Sequence, residues 1–342
     1  MKTAVLICPG RGTYTKTELG SLARFPDPDL LAHFDARRTA LGQDTLTALD
    51  SASTYSVARH TRGDNASALI YAATFGDYLA LRGVKVVAVT GNSMGWYSAL
   101  ACAGALTPQN GFDLVNTMGT LMQTHLIGGQ LIYPCTDDDW RPDPARKAAL
   151  LAQVADIAQR PGHVLGLSID LGGMLVLAGN DAGLEAFEAA MPVLGRFPMR
   201  LANHAGFHTR LQAPVAAEGR ARIAPALFGQ PDVPLIDGRG AVWWPGAVKP
   251  AALWDYTLGH QVTQPYDFAR AIRTAAREFA PDLFILTGPG TTLGGAVAQS
   301  LIAANWQGLR CKADFVARQE RDPVLISMGL PSQRALVQNS SL

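Results

Sequence analysis

Apolar residues in this chain come in two rhythms: short unbroken runs, and longer stretches in which they recur every three or four positions. Residues 3–8 are an unbroken run and predict a buried strand. The run ends at Pro9-Gly10-Arg11-Gly12, a turn with backbone freedom on either side of Arg11. Residues 28–60 read as mainly helical, with Leu30, Leu31 and Phe34 at helical spacing. Residues 65–81 are apolar nearly all round and predict a buried helix, which Gly83 stops. A β-branched run from Val84 leads into Gly91-Asn92-Ser93-Met94-Gly95, and the small and apolar residues through Gly104 suit another buried helix. Thr107-Pro108 opens a further helix with proline at its first position. That helix carries Phe112, Leu114, Val115, Met118, Leu121 and Met122.

The rhythm then changes. Residues 130–134 predict a strand, 145–158 a helix, 163–169 and 173–178 two strands, 181–191 a helix and 197–202 a last strand. This β-α-β-β-α-β order is a ferredoxin-like unit, inserted into the chain rather than appended to it. Beyond it, Asn203-His204-Ala205-Gly206-Phe207-His208-Thr209-Arg210 opens a helix over 211–223. Residues 234–237 and 283–286 read as returning strands, and Gly288-Pro289-Gly290 separates the second from an apolar helix over 292–303. Residues 311–342 are less patterned and are expected to pack on the outside. The predicted fold class is α/β: an α/β-hydrolase-like parallel-sheet core from 1–127 and 204–310, a ferredoxin-like small subdomain from 128–203, and a C-terminal extension over 311–342.

The candidate chemistry sits at Gly91 to Gly95. A five-residue glycine-rich match arises by chance in many sequences, but a strand before it and a helix after it are the context of a nucleophile elbow. A Cβ two places before or after the serine would collide with neighbouring backbone, and the following helix amides favour developing negative charge. A serine also needs a base within hydrogen-bond reach. Of the seven histidines, His33 and His60 precede the elbow on outer helices, His125 ends the helix bearing Met118, and His163 lies in the inserted unit. His204, His208 and His260 fall in the returning part of the core. His208 stands out because it closes a Gly-Phe-His turn at a helix start; the residues alone leave a structural histidine there equally open. His204 and His208 have the spacing of two metal ligands, but no third ligand accompanies them and a turn intervenes, so no metal is expected.

Composition narrows the classes. The chain has 342 residues, 48% hydrophobic and 17% charged, which fits a soluble globular enzyme. A net charge of +1 gives no overall field for nucleic acid or an acidic membrane, so neither partner is expected. Cys8, Cys102, Cys135 and Cys311 form no C-x-x-C pair, which disfavours a zinc site or a disulfide framework. Met1-Lys2-Thr3 leads directly into a strand, and no apolar run is long enough to span a membrane. A cytoplasmic protein is expected.

Together these residues resemble the malonyl-CoA:acyl-carrier-protein transacylases and the acyltransferase domains of polyketide synthases. The likeness covers roughly residues 3–305. It rests on Pro9-Gly10-Arg11-Gly12 (PGQG in the family), Gly91 to Leu100 (GHSLGEYSAL), Gly206-Phe207-His208, Gln261 with Pro265 four residues on (QLYNP), and Gly288-Pro289-Gly290. The resemblance implies Ser93 as nucleophile and His208 as its base, with the backbone carbonyl of Gln261 orienting the imidazole. It implies an oxyanion hole from the backbone N–H groups of Met94 and Arg11. The implied reaction is ping-pong: acyl-CoA acylates Ser93, CoA leaves, and the phosphopantetheine thiol of an acyl carrier protein in fatty-acid, polyketide or related assembly takes the acyl group. No cofactor beyond the CoA thioester substrate is implied, and a monomer is expected. Two other readings share the sequence: a thioester hydrolase of the same architecture, in which water replaces the thiol, and a non-catalytic carrier-protein docking role, against which the intact Ser93 and His208 argue.

The departures from the family cluster around the substrate. Arg11 stands for a glutamine, Ala66 for a pocket glutamine, Asn92 for a histidine and Trp96 for a glutamate, while Phe207 matches the malonyl-type pocket. The arginine that pairs with the malonyl carboxylate falls on Met118. An unpaired buried carboxylate costs about 3–5 kcal/mol, roughly a several-hundred-fold bias against malonyl. An acyl group without a free carboxylate is therefore expected, with malonyl open if Arg11 supplies the charge from another side. The apolar Met118 and Trp96 are expected to shelter the ester from water.

Overall fold

The computed structural model describes residues 1–338; residues 339–342, the end of the expected C-terminal extension, lie outside the described residues. β1 (Lys2–Cys8) and β2 (Val84–Gly91) form where the apolar runs predict strands, and they pair in parallel with Cys8 opposite Gly91. The connection between them contains the helix Gly63–Leu79, buried at every position from Asn65 to Asp77. The inserted stretch supplies β3 (Gly129–Pro134), β4 (Leu165–Asp170), β5 (Met174–Gly179) and β6 (Met199–Arg200). The returning chain supplies β7 (Leu235–Ile236), β8 (Val242–Trp243), β9 (Tyr266–Asp267), β10 (Leu283–Leu286) and β11 (Leu325–Ser327).

Two sheets result. The larger runs β11-β10-β1-β2-β7-β8 and is parallel apart from β8. Because β1 and β2 are adjacent and parallel, the loops after both open at the same edge of the sheet, the position where open α/β sheets hold ligands. The smaller runs β6-β3-β5-β4-β9. Its first four strands are antiparallel, in the order that a β-α-β-β-α-β unit produces, with Pro144–Ala158 and Asp181–Ala190 as the two crossover helices. Leu131, Tyr133, Leu175 and Leu177 pack there against Leu150, Val154, Ile157, Leu184 and Phe187 as a second core. β9 joins the sheets: it pairs in parallel with β4, Ile169 opposite Tyr266, and runs straight into the helix Phe268–Phe279 on the large sheet. Among the described residues no helix is long and apolar enough to cross a membrane.

The structure corrects the sequence reading in three places. Residues 311–338 are not merely an outer layer, because β11 pairs with β10 as an edge strand of the large sheet and buries Leu325 and Ile326. Its apolar run is only a few residues long between Pro323 and Gly329, too short to read as a strand by periodicity. β6 shrinks to two residues, with Pro198 unable to donate to the ladder. Residues 250–263, which carry no clear pattern, form a continuous helical segment: Pro250–Asp255, a π turn over Tyr256–His260, and Gln261–Thr263.

The elbow is among the tightest points of the fold. A Cβ on Gly91 would lie 2.3 Å from Gly95 backbone, and one on Gly95 would lie 2.0 Å from the Cys8 carbonyl oxygen. Backbone has no room to yield there, since β1 and β2 are locked in register. Gly95→Ala is expected to cost about 3 kcal/mol or more; a urea-unfolding midpoint unchanged from that of the parent would contradict this packing.

Candidate active site

Ser93 stands between β2 and the helix Gly95–Cys102 with φ of 56°, in the left-handed region that costs a serine strain. His208 has φ of 57° and approaches from the chain that leaves the small sheet. The structure brings the two together, with Ser93 Oγ 2.7 Å from His208 Nε2. His208 Nδ1 lies 2.7 Å from the Gln261 carbonyl oxygen. A carbonyl can only accept, so Nδ1 carries the hydrogen and Nε2 presents its lone pair to the serine hydroxyl. Burial pushes the His208 pKa down to about 4, opposed by the hydrogen bond to Gln261, so the ring is neutral near pH 7.

Gln261 also works through its side chain. Its Nε2 donates to the Ser93 carbonyl at 3.0 Å, and its Oε1 accepts from the Tyr97 hydroxyl at 3.0 Å. The π turn just before it widens the helix at this point, a distortion found mainly at functional sites. The small sheet holds the other side. Ser168 on β4 donates to the Phe207 carbonyl at 2.8 Å and accepts from Gln130 on β3 at 2.6 Å. The Tyr266 hydroxyl on β9 donates to the Gly91 carbonyl at 2.5 Å, and its ring centroid lies 5.4 Å from that of His208. Tyr97, Gln130, Ser168 and Tyr266 are absent from the sequence-based candidates. Their only sequence signal is a polar atom in an otherwise apolar strand or helix.

His204 does not join His208 as a metal ligand. Its Nδ1 faces Gln130 Oε1 at 2.8 Å, while both nitrogens of His208 are taken by Ser93 and Gln261. The two residues lie in a loop, so a spacing of four does not place them on one helical face. Among the described residues no group of three metal-binding side chains comes together.

The remaining candidates are buried or half-buried. A Cβ on Gly10 would lie 3.3 Å from Ser93 Cβ, which sets Arg11 beside the serine. The Arg11 guanidinium turns inward: Nη2 donates to the Thr61 and Asn203 carbonyls at 2.9 Å each, and the group lies 5.4 Å from the Phe207 ring centroid. Its Nε and Nη1 are buried without partners. Burial lowers its pKa to about 10, opposed by the charge of Asp64, which leaves it charged at neutral pH, and Asp64 is itself held by Arg62. Met118 is fully buried, and its sulfur lies 2.7 Å from where a Gly219 Cβ would be. Trp96 donates from Nε1 to Thr257 at 3.0 Å and packs edge-on against Tyr256. Ala66 is buried in its helix, and Asn92 is buried with Oδ1 unpartnered.

A parallel sheet with a serine on a strained elbow, a histidine on that serine and a second sheet inserted between them defines an α/β protein of the acyltransferase fold. The chain is 27% identical over 215 residues to polyketide synthase GfsB of Streptomyces halstedii, covering 62% of this chain and 4% of that protein. It is 26% identical over 211 residues to the malonyl CoA-acyl carrier protein transacylase of Salmonella typhimurium, covering 60% of this chain and 63% of that one. Thus it spans less than two thirds of these curated relatives. Among solved structures, a malonyl-transacylase in complex with its type II polyketide acyl-carrier protein matches with a TM-score of 0.76 at 19% identity, covering 99% of this chain and 100% of that one. No family model matches the chain. The chain is thus similar, at under 30% identity, to malonyl-CoA:acyl-carrier-protein transacylases and polyketide synthases.

Gln261→Leu keeps the backbone carbonyl on His208 but removes both side-chain hydrogen bonds. Losing the donor to the Ser93 carbonyl is expected to cost about 1.4 kcal/mol, a roughly tenfold slower labelling of Ser93 by a fluorophosphonate. Labelling at the parental rate in a folded variant would show that the amide does not hold the elbow.

Proposed function

We propose that the protein is an acyltransferase that moves an acyl group from an acyl-CoA to the phosphopantetheine thiol of an acyl carrier protein through an ester on Ser93. The observation that carries this reading is the continuous chain from the Gln261 carbonyl through His208 to Ser93 Oγ, 2.7 Å at each link. His208 Nε2 takes the Ser93 proton as Oγ attacks the thioester carbonyl. The backbone N–H groups of Met94 and Arg11 receive the charge that develops on oxygen. Among the turn and loop hydrogen bonds neither amide donates, whereas those of Gly95, Trp96 and Tyr97 are spent on Asn92, Ser93 and Met94. The carbon–sulfur bond then breaks, and His208 returns the proton to the departing CoA thiolate. In the second half the carrier thiol gives its proton to His208, its sulfur attacks the ester carbonyl, and the bond to Oγ breaks as Oγ regains the proton.

The acyl group is read from two walls. Met118 offers no charge, which alone favours a group without a carboxylate. Arg11 offsets that loss: a buried guanidinium with two unpartnered nitrogens is costly until an anion meets it. Malonyl or a similar carboxyacyl group is therefore the substrate this pocket suits better. Arg11→Ala retains the backbone N–H and removes only the cation. Intact-mass measurement should find Ser93 acylated by malonyl-CoA in preference to acetyl-CoA, with the preference falling about a hundredfold in Arg11→Ala. Preferred acetylation of the parent would overturn the Arg11 reading. Loss of the adduct in buffer as fast as with carrier protein would instead favour the hydrolase.

Burial holds His208 neutral well into the acid range. The folded pKa is depressed to about 4, so the base is lost only as pH falls through that value. The rate of Ser93 acylation should stay level from about pH 8 to about pH 5 and fall below that. A limb near the ordinary histidine value would contradict the buried, uncharged base.

A further inference from the structure

Gly288-Pro289-Gly290 takes no part in the steps that use Ser93 and His208, yet it lies against the turn that carries Arg11. The chain enters it from β10 through Thr287, whose amide and hydroxyl donate to the Ile7 carbonyl of β1 at 3.0 and 3.1 Å. Gly288 has φ of 79°, and a Cβ there would lie 2.7 Å from Pro9 Cγ. Gly290 has φ of 76°, and a Cβ there would lie 2.5 Å from the Thr13 carbonyl oxygen. The Thr13 hydroxyl in turn donates to the Gly10 carbonyl at 2.9 Å. Residues 288 and 290 therefore bear on the two ends of the turn 9–13. Gly329, just after β11, backs them from the far side, where a Cβ would lie 2.5 Å from the Gly290 carbonyl oxygen.

A carboxylate anchors this turn. Asp77 lies in the last turn of the helix Gly63–Leu79 and is only 4% exposed. Its Oδ2 accepts from the Gly288 amide at 3.1 Å, the one hydrogen bond of the carboxylate among the described residues. Arg24 Nη2 stands 3.9 Å from Oδ1, beyond hydrogen-bond reach. Arg334, on the helix Pro331–Gln338, also adds its charge, while its Nε donates to the Met328 carbonyl at 2.8 Å. Helix stability does not account for an aspartate here. An anion near a helix C-terminus opposes the dipole, and burying a carboxylate costs free energy unless partners compensate. Burial pushes the Asp77 pKa up to about 7, against the two arginines and the Gly288 amide. In either protonation state an oxygen remains to accept from Gly288, so the anchor holds across the neutral range.

We propose that Asp77 is a positioning residue for acyl transfer: by holding Gly288 it fixes the turn 288–290 against Pro9 and Thr13, and so sets where the Arg11 amide meets the reacting oxygen. This rests on the acyl-transfer reading above. An oxyanion donor acts in the transition state, so displacing it slows the chemical step without weakening thioester binding. The test follows Ser93 acylation by intact mass over a range of malonyl-CoA and acetyl-CoA concentrations in the parent, Asp77→Ala and Asp77→Asn. If Asp77→Ala fails to fold, Asp77→Ser replaces it, since its hydroxyl is too short to reach Gly288. Expected for the alanine or serine variant is a roughly tenfold lower rate at saturation, with the half-saturating concentration within about twofold of the parent. Asp77→Asn, which keeps an oxygen for the amide, should recover most of the rate. A parental saturating rate without the carboxyl group, an equal loss in Asp77→Asn, or a loss confined to the half-saturating concentration would overturn the positioning role. Failure of both acyl-CoAs to acylate Ser93 in the parent would instead remove the acyl-transfer reading beneath it.

Discussion

The site depends on one hydrogen bond between a backbone carbonyl and an imidazole. Gln261 offers His208 an acceptor without charge. It fixes the tautomer as a carboxylate would, but does little to stabilise an imidazolium, so burial dominates and the histidine stays neutral. The bond works only if both partners are held. His208 and Ser93 each occupy left-handed backbone, a strain that persists only where the surroundings over-determine it. For Ser93 the constraint comes from the glycines of the elbow and the Gln261 amide; for His208 it comes from Ser168 and Gln130 on the small sheet. The large sheet thus carries Ser93, the small sheet steadies His208, and a π turn delivers the acceptor.

That division of labour explains what the sequence could and could not reveal. β1, β2 and the elbow were legible because their apolar runs are long and their glycines sit at sterically fixed offsets from Ser93. The β-α-β-β-α-β order was legible for the same reason, since every element but the two-residue β6 is long enough to have a period. β11 was not, because its apolar run is only a few residues long and takes its meaning from an edge of β10 more than thirty positions earlier. The segment 250–263 was not, because a π turn has neither the helical nor the strand period. His208 could be singled out only from its turn and from a family resemblance. Gln130 and Ser168 act on it through the Phe207 backbone, a contact that no local pattern encodes.

The altered positions around the serine are less independent than their places in the chain suggest. Arg11 follows β1, Thr61 precedes the buried helix, and Asn203 leaves the small sheet, yet one guanidinium nitrogen joins the last two. Met118 is fully buried against Gly219 and brings no charge. On the proposed function, recognition of an anionic group and stabilisation of the developing oxyanion share one short turn, because the Arg11 side chain and backbone N–H belong to the same loop.

The most direct measurement is nitrogen NMR of the His208 ring near neutral pH. The carbonyl-oriented base requires a neutral ring with hydrogen on Nδ1 and a bare Nε2 facing Ser93. A ring protonated on Nε2, or an imidazolium, would contradict the account at its centre.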